Sequence, residues 1–250
     1  MAPRISSPSP NAFWLYGLHA VIAALQNPKR QCHKLLATKE AAKSLADANA
    51  LSTPKLQPKI VSTSDIHKEL PEGAVHQGIA LSVDPLPPLS IEDVCDSSSA
   101  AGPFLILDEV TDPHNVGAIL RSCAGFGAKG LIITEKNSPS ETGTLAKSAS
   151  GALEHTPLIR AVNLSQALSA LKEKGYWTVG LDERAEQDLG QIDLDGPMAF
   201  VMGSEGKGLR RLTRENCDFL AKLPTEPSFP TLNVSNAAAI CLYAHKIASS

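Results

Sequence analysis

The chain has 250 residues, of which 43% are hydrophobic and 20% are charged, and its formal net charge is -3 at pH 7. This length holds one large domain or two modest ones, and the acidic balance speaks against binding nucleic acid through bulk charge alone. Five scattered cysteines without a C-x-x-C pair argue against a zinc site and a disulfide framework, and no apolar run is long enough for a membrane span, so a cytoplasmic protein is expected.

The N-terminal third is the basic part of the chain. Residues 1–11 have no apolar stretch and predict a short disordered tail, with a mitochondrial address left open. In residues 1–83, Lys and Arg outnumber Asp and Glu by four, which either steers an anionic partner or marks a solvated face. From residue 12 to 83 the pattern predicts a compact α/β domain, with helices in NAFWLYGLHAVIAALQNP and KEAAKSLADANAL and strands in HKLLAT, KIVST and HQGIALSV.

Residues 84–102 are rich in Pro, Ser and acidic residues without periodicity, which predicts an interdomain linker. From residue 103 to 250, strands and helices alternate. The predicted strands are continuous apolar runs, as in a parallel sheet that is covered on both faces: FLILDEV, GLIITE, TPLIRAV, YWTVGLD, MAFVMG and FLAKLP. Ligands of such α/β sheets bind beyond the carboxyl ends of the strands, where this chain places polar clusters.

The first cluster lies in LDEVTDPHNVGAILRS, where a strand is followed by a turn and a helix. Asn115 is suited to cap this helix, which is the structural alternative to a functional role. Arg121 lies in an otherwise small and apolar helix, so it either extends into solvent or faces an anionic site.

The second cluster is MAFVMGSEGKGLRRLTREN, in which a buried strand runs into a glycine-rich loop. Its glycines, from Gly203 onward, allow a ligand to approach the main chain. Glu205 would repel a phosphate, so the loop fits a cationic or hydroxyl-bearing ligand better. The cations that follow indicate an external anion such as RNA phosphate: Lys207, Arg210, Arg211 and Arg214.

The third cluster is PTLNVSNAAAICLYAHKIA, where Thr231, Asn233 and Ser235 precede an apolar helix. These side chains either cap the helix or line a site. The many alanines of the helix allow a close backbone approach beneath a ligand or across a subunit interface.

Together, DPHNVGAILRS, FVMGSEGKGLRR and TLNVSNAAAICLY resemble the three signature motifs of the SpoU-type (TrmH-like) 2′-O-ribose RNA methyltransferases of the SPOUT superfamily. The resemblance covers about residues 103–248, and the N-terminal part resembles the family's small L30e-like RNA-binding domain. It implies a parallel-sheet methyltransferase domain with a C-terminal trefoil knot, S-adenosylmethionine as methyl donor, a homodimer and no metal.

The resemblance also implies the site residues. The residues that match the catalytic set are Asn115, Arg121, Glu205 and Asn233. The residues that match or adjoin the donor-binding positions are Met202, Gly203, Leu223, Thr231, Leu232 and Ser235. One position departs from the family, which usually has Ser where this chain has Thr231.

The implied reaction is attack of a ribose 2′-oxygen on the methyl group of the donor, with Arg121 either accepting the proton or stabilising the alkoxide. The resemblance is closest to the branch that methylates a guanosine of large-subunit rRNA. A tRNA substrate remains open, as does a non-catalytic RNA-binding protein, although RNA binding alone leaves Glu205 in a glycine loop unexplained.

Overall fold

The computed structural model of the protein describes residues 8–50, 56–97, 102–226, 228–229 and 231–249. The chain divides into two compact units: residues 1–87 with 140–155, and residues 88–139 with 156–250. The first part of the predicted disordered tail, residues 1–7, lies outside the described residues, as do residues 98–101 of the predicted linker.

The first unit contains a four-stranded sheet in the order β1-β4-β2-β3. Strands β1 and β2 are antiparallel to β4, and β3 is parallel to β2. The strands are β1 (Phe13–Tyr16), β2 (Cys32–Ala37), β3 (Lys59–Ile60) and β4 (Ile79–Val83), and the helices before residue 88 in this unit are α1 (Leu18–Gln26), α2 (Lys39–Asp47) and α3 (Thr63–His67).

The prediction of one helix from residue 11 to 28 is wrong at its start, because Phe13–Tyr16 forms β1. Aromatic residues favour strands, and Gly17 separates the strand from α1 with a φ of 87°. The helical spacing of the apolar residues holds only for α1 itself.

A later segment, residues 140–155, folds with the first unit. It contains α6 (Gly143–Ala149) and a 3₁₀ turn at Ala152–Glu154, separated by Ser150 and Gly151 with positive φ. The apolar residues of this segment therefore belong to two short helical pieces and not to one continuous helix. A Cβ atom on Gly143 would clash with the main-chain oxygen of Trp14, so α6 lies directly against β1.

The second unit contains a six-stranded parallel sheet in the order β10-β8-β9-β5-β6-β7. The central strands are buried along their length, which confirms the parallel sheet predicted from continuous apolar runs. The strands are β5 (Phe104–Asp108), β6 (Gly130–Thr134), β7 (Leu158–Ala161), β8 (Trp177–Leu181), β9 (Met198–Gly203) and β10 (Phe219–Ala221).

The helices of this unit are α4 (Ile91–Ser97), α5 (Pro113–Phe126), α7 (Leu164–Glu173), α8 (Arg211–Glu215) and α9 (Val234–Ala248). Helix α4 lies in the stretch predicted to be a linker without periodic structure, and that expectation is wrong for these residues. Ile91 and Val94 are buried in the core of the second unit, and Ser90 and Asp93 hydrogen-bond each other's main-chain N–H as a capping box. The trefoil knot stays a prediction.

Candidate active site

A cavity of about 650 Å³ lies at the carboxyl ends of β8, β9 and β10. Its lining comes from residues 181–184, from residues 202–208 and from the chain between Lys222 and Ala237. This position agrees with the rule that ligands of parallel sheets bind beyond the strand ends, and the volume suits a small organic ligand.

The glycine-rich loop forms one wall of this cavity. The main chain at Gly206 and Gly208 has φ values of 79° and 67°, and the N–H of Gly208 donates to the oxygen of Ser204 over 2.9 Å. A Cβ on Gly203 would collide with the main chain of Gly208 and Leu209. The sequence prediction attributed the glycine to close approach of a ligand, whereas here the loop itself requires it by folding back on its own backbone.

Three of the four predicted catalytic side chains meet at the edge of the cavity. Glu205 Oε1 accepts a hydrogen bond from Asn115 Nδ2 at 3.2 Å and another from Asn233 Nδ2 at 2.9 Å. Asn233 Nδ2 also lies 3.0 Å from Asn115 Oδ1, to which it donates. We call these three side chains the polar triad.

The two asparagines of the triad differ in whether they cap a helix. Helix α5 starts earlier than predicted, because Asp112 caps it by accepting from His114 N at 2.9 Å and Pro113 occupies the first turn. Asn115 is therefore not the cap. Asn233 does cap α9, since its Oδ1 accepts from the N–H and the hydroxyl of Ser235.

Arg121, the fourth predicted catalytic residue, does not join the triad within one chain. It follows Asn115 by six positions on α5, which at 100° per residue turns it well away from Asn115 around the helix axis. Its side chain is exposed and forms no hydrogen bond or ion pair with any residue that the structure describes.

Five of the six predicted donor-binding residues line the cavity: Met202, Gly203, Leu223, Thr231 and Leu232. Ser235 does not line it but supports Asn233 instead. The sequence analysis missed Asp182, Glu183 and the exposed Phe229, which also line it. The carboxyl-end rule would have found the two acidic residues, because they directly follow β8.

The cations after the glycine loop are mostly engaged inside the chain. Arg210 contacts Asp108 and Glu109, Arg211 pairs with Glu215 at 2.7 Å, and Arg214 lies 2.8 Å from Asp182. Only Lys207 has no hydrogen bond or ion pair within the described part of the chain. The expectation that all four cations face an external anion is therefore not met by this arrangement.

Three of the four cysteines of the second unit do not offer a thiolate nucleophile. Burial raises the pKa of Cys123 and of Cys217 to about 12, and it also raises the pKa of Cys241. A thiol that stays protonated at neutral pH is a poor nucleophile, so these three cysteines have no place in the chemistry.

The described residues contain neither a candidate metal site nor a candidate membrane span. No group of three or more His, Cys, Asp or Glu side chains among them is placed to hold a metal ion. No helix in that same part of the chain combines the length and apolar character that crossing a bilayer requires.

Two family models match most of this chain. Residues 102–243 match the model of the SpoU rRNA Methylase family, and residues 14–89 match that of RNA 2′-O ribose methyltransferase substrate binding. The chain is 40% identical to the 23S rRNA (guanosine-2′-O-)-methyltransferase RlmB of Pseudomonas putida over 92% of this chain and 94% of that protein.

Two other similarities differ in coverage and identity. A Synechocystis protein named as an uncharacterized tRNA/rRNA methyltransferase is 41% identical over 92% of this chain, which spans only 61% of that protein. The SpoU methyltransferase AviRb of Streptomyces viridochromogenes, solved with AdoMet, superposes with a TM-score of 0.80 over 95% of this chain and 90% of that one, at 22% identity. At that identity the superposition supports the fold alone.

Proposed function

The chain belongs to the SpoU rRNA methylase family, and from this premise we propose that it methylates the ribose 2′-hydroxyl of a guanosine in large-subunit ribosomal RNA. The observation that carries the proposal is the polar triad, which joins α5, the glycine loop and the start of α9 beside one cavity. The guanosine target is supported by relatives of that name at about 40% identity across most of both chains.

The residues of the cavity fit S-adenosylmethionine, the methyl donor of the family. Leu223, Leu232 and Met202 offer apolar surface for a nucleoside, and carboxylates and cations both line the cavity, which matches a ligand with a cationic sulfonium and a zwitterionic tail. When bound, the donor supplies an electrophilic methyl group. The resident chemistry of the protein is then to hold the ribose, align its 2′-oxygen and remove one proton.

The triad is suited to orient a hydroxyl group. Glu205 is exposed, and the two asparagines fix its carboxylate through one oxygen. The other oxygen accepts no hydrogen bond from the part of the chain that the structure describes, so it can accept from a ribose hydroxyl. For Arg121 we favour a charged role, because a guanidinium stays protonated in water and this side chain is exposed. Its positive charge would stabilise the developing alkoxide.

We further propose a cytoplasmic homodimer whose C-terminal segment forms the trefoil knot. Helix α9 presents Ile240, Tyr243 and Ile247 to solvent with 43%, 54% and 58% exposure. Three large apolar side chains on one helix favour burial against a partner, and a second copy of this chain is the simplest occupant. The domain limits at residues 12–83 and 103–250 stay a prediction of the sequence pattern, to which the structure adds residues 140–155 as part of the first unit.

The test of the target is methylation mapping in a strain that lacks the gene. We expect one 23S-type rRNA guanosine to lose its ribose methyl group and to regain it when the purified protein and S-adenosylmethionine are supplied. An Asn233→Ala protein serves as the inactive control. Loss of a tRNA methyl group instead would replace the rRNA target, and absence of donor binding by calorimetry would indicate a non-catalytic RNA-binding protein.

A further inference from the structure

An ion pair between a buried carboxylate and a half-exposed arginine lies at the end of the glycine loop, outside the predicted site. Asp108 ends the central strand β5, and only 1% of its surface is exposed. Its Oδ1 accepts from Arg210 Nε at 2.6 Å, and its Oδ2 accepts from the main-chain N–H of Arg210 at 3.0 Å. A buried carboxylate thus holds both the backbone and the side chain of one residue.

This pair joins two of the three segments that carry the triad. Asp108 is the register partner of Gly203, the residue from which the glycine loop departs, and Arg210 is the N-cap residue just before α8. The loop with Glu205 is therefore fixed at both ends against β5. The same strand leads through the turn that follows it into α5 and Asn115.

The turn after β5 is held by the same guanidinium. Glu109 has a φ of 59°, which is unfavourable for a residue other than glycine. Its Oε1 accepts from Arg210 Nη1 at 3.2 Å and from Asn137 Nδ2 at 3.1 Å. Arg210 thus bridges two consecutive carboxylates, one buried and one at the surface, and so constrains the turn as well as the loop.

We propose that Asp108 and Arg210 form a clamp that positions Glu205 relative to Asn115 for methyl transfer. Neither residue lines the cavity, so both are positioning residues that act through the loop. Arg210 was expected from the sequence to contact RNA phosphate, and the clamp gives it a different role. The inference rests on the proposed methyl transfer, because it concerns the geometry of that site.

The experiment compares Arg210→Ala with Arg211→Ala in the full chain. Arg211 is a matched control, because it carries the same charge on the next residue and, among the described residues, pairs only with Glu215 at the surface. With saturating donor and RNA, the single-turnover rate of Arg210→Ala should fall by about 10- to 100-fold, the scale of a small misplacement of reacting groups. Arg211→Ala should keep the wild-type rate at saturation.

Two further measurements separate positioning from RNA binding and from general destabilisation. The KM for RNA of Arg210→Ala should stay close to that of Arg211→Ala, and hydrogen exchange should rise in residues 203–210 while β5 and β6 stay protected. Hydrogen exchange needs no RNA, so it tests the clamp even if the proposed substrate is wrong. A rate that recovers at higher RNA concentration, or a loop that exchanges as in the wild type, would overturn the clamp.

A double-mutant cycle tests whether the two residues act as a unit. Asp108→Asn preserves shape and removes the buried charge, so Arg210 keeps Glu109 as its one charged partner among the described residues. If the clamp is one device, Asp108→Asn/Arg210→Ala should be about as slow as the slower single variant. Rate losses that multiply independently would contradict it. Should Arg210→Ala fail to fold, Arg210→Lys takes its place, since an ammonium cannot span both carboxylates with the fork of a guanidinium.

Discussion

At the scale of single residues, Asn233 shows how one side chain serves the fold and the site together. Its Oδ1 accepts from the first turn of α9, and its Nδ2 donates to Glu205 and to Asn115. A side-chain amide carries its acceptor and its donor on separate atoms, so its oxygen caps the helix while its NH₂ group donates two hydrogen bonds elsewhere. Aspartate would cap equally well but would place a second negative charge beside Glu205.

This division predicts different outcomes for two substitutions of Asn233. Asn233→Asp should retain thermal stability and lose methyl transfer, because the cap survives while the donor to Glu205 is replaced by a repelling charge. Asn233→Ala should lose methyl transfer and also about 1 kcal/mol of stability with the cap. Thermal unfolding and single-turnover methylation measure the two effects, and equal unfolding losses in both variants would contradict the assignment of the cap.

Arg121 yields a second prediction at this scale. Arg121→Ala should keep the fold and the donor affinity, because the exposed side chain makes no hydrogen bond or ion pair with the described residues. Its turnover should fall by about two orders of magnitude, the scale of a group that stabilises a developing oxyanion. Arg121→Lys should recover little, because a point charge does not reproduce the planar fork. Single-turnover rates at saturation decide, and near-normal rates would leave Arg121 a surface residue.

At the scale of elements, the segment of residues 140–155 completes the first unit. Arg30 is fully buried there, and its guanidinium lies 2.6 Å from Glu154 and 3.0 Å from Glu141. Asn27 donates to the same Glu154 at 2.7 Å. An N-terminal domain that ends at residue 83 would lack these carboxylates, so deletion of residues 1–83 would expose α6 as well as remove most of the region that matches the substrate-binding family model.

The buried pair predicts a large stability loss in Arg30→Ala. Glu154 is 2% exposed at its side chain, and a buried charge left without its partner costs about 3–5 kcal/mol. Lys34→Ala is the control, because Lys34 pairs with Glu69 at the surface, where an ion pair contributes about 0–1 kcal/mol.

Urea unfolding in a Trp177→Phe background measures both losses. Of the two tryptophans, only Trp14 then remains, so tryptophan fluorescence reports the unfolding of the first unit. Equal midpoints for Arg30→Ala and Lys34→Ala would show that the buried network contributes no more than a surface pair.

At the scale of the whole molecule, sequence patterns predicted local structure better than long-range contacts. The six parallel strands were predicted because burial on both faces leaves continuous apolar runs. The membership of residues 140–155 in the first unit was not predicted, because Arg30 and Glu154 are separated by 124 positions and no local pattern couples them. The residues of the polar triad were predicted from the motif resemblance. No local pattern could link them, because Asn115 and Glu205 lie 90 residues apart. The Asp108–Arg210 clamp was missed, since a buried aspartate at a strand end looks like any other polar turn residue.

The oligomeric state is also predicted at the scale of the whole molecule. The wild-type protein should behave as a dimer in light scattering at micromolar concentration, because Ile240, Tyr243 and Ile247 form an exposed apolar face on α9. Ile247→Glu and Tyr243→Glu should shift the mass toward the monomer, since a carboxylate buried in an apolar interface has no partner. Val162→Glu is the matched control: Val162 is 85% exposed and lies after β7, away from α9 in sequence. The mass of Val162→Glu should match that of the wild type.

A monomeric wild-type protein, or a control variant that dissociates as readily as the α9 variants, would show that this face is not the dimer interface.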